Sequence, residues 1–253
     1  MAKLWRITLA LIVGSCLFIG CSKSCKTVTK NENTEPPPAN FTPKENEEAE
    51  LMALCLSGEL VAPDSLYNQL LNDLIAIRNT FGDTIEIVNQ LKFQPPWEAG
   101  CVMIGFDDTT FQQIRNGQYL AWDSLNQQYH LTDIDTISLQ FGGIVLLTFK
   151  GRLNPWRLCE LYGTLPGAWA PSPNYIRGDR ANIYIRETES GITYLFRDAW
   201  DDCPSGCLNS EYWYFAFIGY LPVLIGHWAP DQTPQPPDWW EEAKLNREHY
   251  CEP

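Results

Sequence analysis

Histidine and methionine are almost missing from this chain, with three of each in 253 residues. His130, His227 and His249 are the whole supply of imidazole, so a catalytic base or a histidine-rich metal site has few candidates. The signatures that would place such groups are missing as well. There is no Gly-x-Ser-x-Gly elbow, no His-Glu-x-x-His helix and no glycine-rich phosphate loop. Positive charge is also scarce, 18 Lys and Arg against 31 Asp and Glu, for a net −13. That balance excludes nucleic-acid binding through phosphate contacts and leaves little electrostatic attraction to anionic lipid.

What is present begins with an address. Lys3 and Arg6 precede an apolar run, Ile7 to Ile19, which is short for a membrane span and typical of an export signal. Leu17-Phe18-Ile19-Gly20-Cys21 resembles the lipobox of bacterial lipoproteins, with Cys21 as the residue that is acylated and becomes the mature N-terminus. Val13-Gly14-Ser15-Cys16 is a weaker second match. Multiple acyl chains, at about 0.8 kcal/mol per buried methylene, give stable anchoring. The resemblance implies a lipid-anchored protein of the bacterial cell envelope. Ser22 after Cys21, rather than aspartate, favours the outer membrane. Loss of residues 1–20 removes Lys3 and Arg6 and no acid, leaving 16 basic against 31 acidic residues, a net −15.

Nine cysteines in an exported chain imply disulfides. Without Cys16 and Cys21 there remain Cys25, Cys55, Cys101, Cys159, Cys203, Cys207 and Cys251. Seven is odd, so at least one is a free thiol or pairs between chains.

Residues 21–50, with Pro36-Pro37-Pro38 and a run of glutamates, read as a flexible acidic tether. A single α+β domain is expected over 51–228. Leu51–Val61 reads as a strand or an irregular apolar segment. Pro63-Asp64-Ser65 opens a helix with Leu66, Leu70, Leu74 and Ile77 on one stripe, ended by Phe81-Gly82. Ile85 to Phe93 suggests a strand. From Cys101 the pattern is clearer: a strand to Phe106, a short helix opened by Asp107-Asp108, a strand at Tyr119–Trp122, a poorly defined stretch from Leu125 to Tyr129, and a strand at Ile134–Leu139. Ile144–Phe149 is a further strand, followed by a helix opened by Asn154-Pro155 and stopped by Pro166-Gly167, then an extended Ala168–Pro173. Residues 101–176 thus read as a ferredoxin-like βαββαβ sheet, antiparallel, with both helices on one face. Residues 182–228 add an aromatic β-hairpin extension, and an N-terminal helix–strand completes the domain. From 229 to 253 the chain is proline-rich and acidic and reads as a mobile tail.

Leu147-Thr-Phe-Lys150 and Leu165-Pro-Gly-Ala-Trp-Ala-Pro-Ser-Pro-Asn174 resemble the end of a subtilase propeptide. Ala168 stands where that family has valine and Ser172 where it has glutamate. The resemblance covers residues 101–176, and no protease domain follows. Such propeptides are ferredoxin-like folding assistants. They inhibit by packing the open sheet face on the protease and laying their C-terminal segment along its cleft. The resemblance therefore implies an extracytoplasmic protein partner, a protease among the possibilities. With no catalytic motif present, a non-enzymatic interaction module without a cofactor is expected, the alternative being an extracytoplasmic enzyme or thiol-redox protein centred on Asp201, Asp202, Cys203 and Cys207.

Chemistry-bearing residues concentrate in Asp198-Ala-Trp200-Asp201-Asp202-Cys203-Pro-Ser-Gly-Cys207. The loop is similar to a Trp-Gly-Asp-Cys-Pro-x-Gly-Cys pattern of uncharacterised secreted bacterial proteins, with Asp201 in the place of its glycine. Cys203 and Cys207 are candidates for a short structural disulfide, for separate pairings, or for a redox or metal pair. Asp198, Asp201 and Asp202 do not follow the calcium-loop spacing. Cys203, Cys207 and His227 fall short of the four ligands zinc takes, so no metal is expected. His130 with Asp133 could form a base pair, but a hairpin histidine is the simpler reading. The tryptophans divide between core filling and an aromatic binding face.

Overall fold

The structure is a computed structural model and describes residues 41–251 apart from 177, 204 and 249. Cys21, the tether up to residue 40 and Cys25 lie outside the described residues. The fold is mixed α+β, with two antiparallel four-stranded sheets and seven helices among the described residues. None of these helices is long and apolar enough to cross a membrane.

Three helices come first. α1 (Glu47–Ser57) begins where the Asn46 side chain accepts the Ala49 N–H, carries Glu47, Glu48 and Glu50 at its positive end, and stops at Gly58 in the left-handed region. The Leu51–Val61 segment, expected as a strand or irregular, therefore starts inside a helix. α2 (Asp64–Phe81) buries Tyr67, Leu70, Leu74 and Ile77, the stripe its spacing predicts except that Tyr67 is buried where Leu66 is expected and Leu66 is only half-buried. Ile85–Phe93, expected as a strand, holds instead the single turn α3 (Ile87–Gln90) and an extended exit.

The first sheet follows. β1 (Trp97–Phe106) leads into α4 (Asp108–Arg115), capped by the Asp107 carboxylate on the Thr110 N–H. Tyr119–Trp122 is not a strand but a turn. Its buried Tyr119 and Trp122 pack edge-on against Phe106, so side-chain packing outweighs β propensity there. α5 (Asp123–Gln128), β2 (Leu131–Leu139), β3 (Gly142–Phe149), α6 (Pro155–Tyr162) and β4 (Ala168–Tyr175) complete the unit. Asn154 caps α6 through the Trp156 N–H, with Pro155 in the first turn, as the sequence predicts. The strand order is β2-β3-β1-β4, every pair antiparallel. Val102, Ile104, Phe106, Val145, Leu147 and Phe149 point to one face, where Phe111, Leu158 and Tyr162 close a core.

The expected hairpin extension is a complete second sheet. β5 (Asn182–Thr188), β6 (Gly191–Trp200), β7 (Asn209–Ile218) and β8 (Leu221–Trp228) run as a meander in sequence order. Ile183, Ile185, Tyr194, Phe196 and Phe215 on one face pack with Leu70, Leu74 and Ile77 of α2 and Met52 and Leu54 of α1. Tyr184, Leu195, Tyr212 and Tyr214 form the other face.

That outer face is why the chain after Ala229, expected as a mobile tail, folds back. It forms α7 (Trp240–Glu248), and Ala243, Trp239 and Trp240 pack on those tyrosines. Trp239 stacks on Tyr214 and lies across Gly226, where an added Cβ would fall 2.1 Å from the indole nitrogen. The fully buried Asn246 amide donates to the Thr193 and Tyr184 carbonyls, satisfying β5 and β6 backbone groups and its own polar atoms together. Cys251 then bonds Cys55 in α1 across a sequence separation of 196.

The two disulfides close loops of very different size, 196 residues against 4. Chain entropy gives about 5 kcal/mol for the long loop and about 2 kcal/mol for the short one. Chemical denaturation should therefore show Cys55→Ser/Cys251→Ser losing roughly two and a half times the stability lost by Cys203→Ser/Cys207→Ser. Equal losses would mean that the tail is held by its packing alone.

Candidate functional site

The loop singled out by sequence is built as a clamp. β6 ends at Trp200, which is 36% exposed, and Asp201 and Asp202 both adopt left-handed backbone, φ 61° and 55°. Such a turn suits aspartate, whose short side chain bonds locally. The Asp201 carboxylate accepts the Asn209 amide at 2.6 Å, and the Asp198 carboxylate accepts the Ala199 N–H at 2.9 Å. Cys203 and Cys207 form a disulfide with Cα atoms 4.5 Å apart. Their sulfurs are bonded to each other, and His227 instead has its Nε2 3.5 Å from the Glu211 carboxylate and its ring stacked on Trp213. Among the described residues no group of three or more His, Cys, Asp or Glu side chains is placed to hold a metal ion.

Two residues that sequence reasoning missed hold this loop. Arg197 is 2% exposed, and its guanidinium donates to both Asp179 oxygens, to Ser210 Oγ and to the Arg180 carbonyl. Asp179 also accepts the Cys207 N–H at 3.1 Å. The Arg197 hydrogen bonds pull the Asp179 carboxyl down to about 2, against the smaller opposing effect of burial. The signal was there: Arg197 interrupts the apolar strand Ile192–Phe196, and a buried arginine needs a carboxylate partner.

The remaining candidates scatter. His130 sits in a left-handed turn with its ring edge-on to Phe41, and its carbonyl accepts the Lys150 N–H. Asp133 lies on the exposed strand β2. Trp97, Trp122 and Trp213 are core residues, whereas Trp169 and Trp200 are exposed. Cys101 is buried on β1 with its sulfur 3.8 Å from the Thr148 hydroxyl, and burial raises its pKa, which keeps it a thiol at neutral pH.

The larger feature is the face of the first sheet that carries no helix among the described residues. Register places Met103 and Gly105 of β1, Ile144 and Leu146 of β3, Ile137 of β2 and Trp169 of β4 side by side on it. Met103, Ile144 and Leu146 are half-buried by their neighbours and belong to none of the three packed cores. Ile137 is 59% exposed and Trp169 46%. Trp169 lies flat over Gly105, where a Cβ would come within 2.5 Å of the ring, so glycine is what lets the indole reach the sheet. Asp133 and Asp135 border the face along edge strand β2, opposite Thr148 and Leu146. Near the other end of β1 a cleft of about 700 Å³ opens against the start of α1, lined by Glu47, Leu51, Phe93, Trp97, Glu98 and Arg152 among others. The surface can hold a protein by apolar contact, and nothing in it positions a nucleophile against a base.

A scan against protein-family models and searches of curated proteins and solved structures found no match to this chain.

The clamp has an acid limb. A carboxyl held at about 2 stabilises the fold fully above its ordinary value of 3.8 and loses that contribution as pH falls from there towards 2. Asp179→Asn should lower stability at neutral pH and flatten the decline between these values in melts taken as a function of pH. An acid limb identical to that of the unsubstituted protein would show that Asp179 does not supply it.

Proposed function

We propose that this chain is a non-enzymatic interaction module of the bacterial cell envelope, lipid-anchored through Cys21, that docks an extracytoplasmic protein on the open face of its first sheet. The observation that carries the reading is that face: five large apolar side chains in register, with no helix over them among the described residues. Soluble proteins seldom leave a contiguous apolar patch uncovered unless something binds it. The strand order β2-β3-β1-β4, with α4 and α6 on the opposite face, supports reading residues 97–175 as a ferredoxin-like unit. Together with the subtilase-propeptide resemblance of Leu165–Asn174, it supports a protease as the partner and inhibition as the outcome. In this chain the propeptide-like segment is strand β4, hydrogen-bonded to β1 and continued into the second sheet. Docking through the sheet face is therefore the part of the inhibitory mode that the chain keeps, and insertion of a free C-terminal segment is not available to it. The outer membrane is the proposed location, with the acidic segment after Cys21 as the tether.

Inhibition constants against a panel of secreted subtilases test the inhibitor reading: at least one enzyme should be inhibited tightly, and inhibition of none would remove it. Trp169→Ala should weaken such a complex by about 2 kcal/mol, the usual size for a central aromatic anchor, and Leu146→Asp should abolish it. Both variants should keep the parent melting behaviour. If neither changes binding to the inhibited enzyme, the docking face is elsewhere.

A further inference from the structure

The turn between β7 and β8 projects an apolar tip that the sheet-face reading does not use. Ile218 is 72% exposed, Tyr220 97% and Leu221 71%, around Gly219 in the left-handed conformation. From Tyr212 to Pro230 the chain contains no Asp, Glu, Lys or Arg, although such residues make up 19% of the whole. Most of that run is charge-free because it lies between α2 and α7, as Phe215 in one core and Tyr214 in the other show. The tip has no such cover. Ile218 pairs with Leu221 and Ala216 with Val223 on the α7 side of the sheet, and Ile225 on edge strand β8 is a further 45% exposed. Exposed edges and turns ordinarily carry a lysine or a glutamate to discourage association. This one carries a single proline, Pro222.

We infer that the Ile218–Leu221 tip is a wedge that enters the headgroup–acyl boundary of the membrane to which the chain is anchored. The inference rests on the lipid-anchor reading for bringing the domain to the bilayer. From Cys21 to Phe41 the chain can span at most about 70 Å, and a domain of about 200 residues has a radius of gyration of roughly 17 Å, so the tip is within reach of the surface. Three physical points select lipid over other occupants. The tip is convex and only a few residues wide, so a deformable medium buries it more completely than a complementary protein surface would. A tyrosine at the apex, ring in the acyl boundary and hydroxyl among headgroups, is the amphipathic arrangement favoured at interfaces. A second copy of the mature chain is opposed by its net charge of −15 (16 basic against 31 acidic residues), whereas the charge-free tip is the part of the surface that anionic headgroups do not repel. Insertion also orients the domain, because the end of the second sheet carrying the tip then faces the bilayer.

The test uses the full mature chain reconstituted into phosphatidylcholine–phosphatidylethanolamine vesicles that contain a phosphatidylcholine with a diazirine in its acyl chain. After irradiation, adducts are mapped by mass spectrometry. Adducts should concentrate on the peptide containing Ile218–Leu221, and Leu221→Asp, at a site 71% exposed and so harmless to the core, should remove most of them. Adducts confined to the N-terminal peptide, or an unchanged tip signal in Leu221→Asp, overturn the wedge. The mass of the Cys21 peptide reports the anchor separately. An unacylated chain that still gives tip adducts keeps the wedge and sinks the anchor, and an acylated chain without them does the reverse.

Discussion

Two sheets have four faces, and helices among the described residues cover three of them. α1 and α2 cover the inner face of the second sheet, α7 its outer face, and α4 with α6 one face of the first. The outer cover of the second sheet depends on the C-terminal segment returning over Tyr184, Tyr212 and Tyr214. That return is fixed at its end by Cys251 on Cys55 and in its middle by Asn246 on the β5–β6 backbone. Trp97 donates its indole N–H to the Cys251 carbonyl, so the same closure reaches the start of β1 and links the two sheets through one buried ring. Among the described residues no helix is placed on the fourth face, because α3 and α5 are single short turns at other positions in the chain.

How much of this could be read from residues varies with how local the cause is. Gly143–Asn174 was legible at most boundaries because each has its own residue: Asn154 and Pro155 open α6 and Gly167 precedes β4, although α6 stops at Tyr162, capped by Gly163, ahead of the expected stop at Pro166-Gly167. α2 was legible because one side of it is buried and the other is not. α1 was not, because Glu48, Ala49, Glu50, Met52, Ala53 and Leu54 are all buried and leave little helical period to detect. Its two buried glutamates are matched by arginines distant in sequence, Arg78 for Glu48 and Arg152 for Glu50, and no local pattern announces such pairs. The tail was missed for the same reason. A proline-rich acidic segment looks solvated until the Trp239 and Trp240 rings are seen against a tyrosine face that spacing alone does not assemble.

In the Asp198–Cys207 loop the chemically rich residues are bonded to one another and to the sheet beside them. Its aspartates are engaged in turns and its cysteines in each other, and Asp179 joins the Cys207 backbone to Arg197 inside the second sheet. A buried guanidinium left unpaired would cost several kcal/mol, so the loop cannot move far without replacing that carboxylate. The rigid framework of the loop is therefore set by a residue outside it.

Charge and proline distribution set the character of the two edges of the sheet that carries the apolar face. β2 is an edge strand exposed along nearly its whole length, the geometry that invites another strand to pair. Asp133 and Asp135 sit on that edge, facing the same side as Leu146 and Ile144, so a second copy approaching the face or the edge meets like charge. β4, the other edge, is interrupted by Pro171 and Pro173 and by register shifts against β1. Acidic side chains on one edge and prolines on the other are thus the features that disfavour added strands on this sheet, and the apolar residues lie between them.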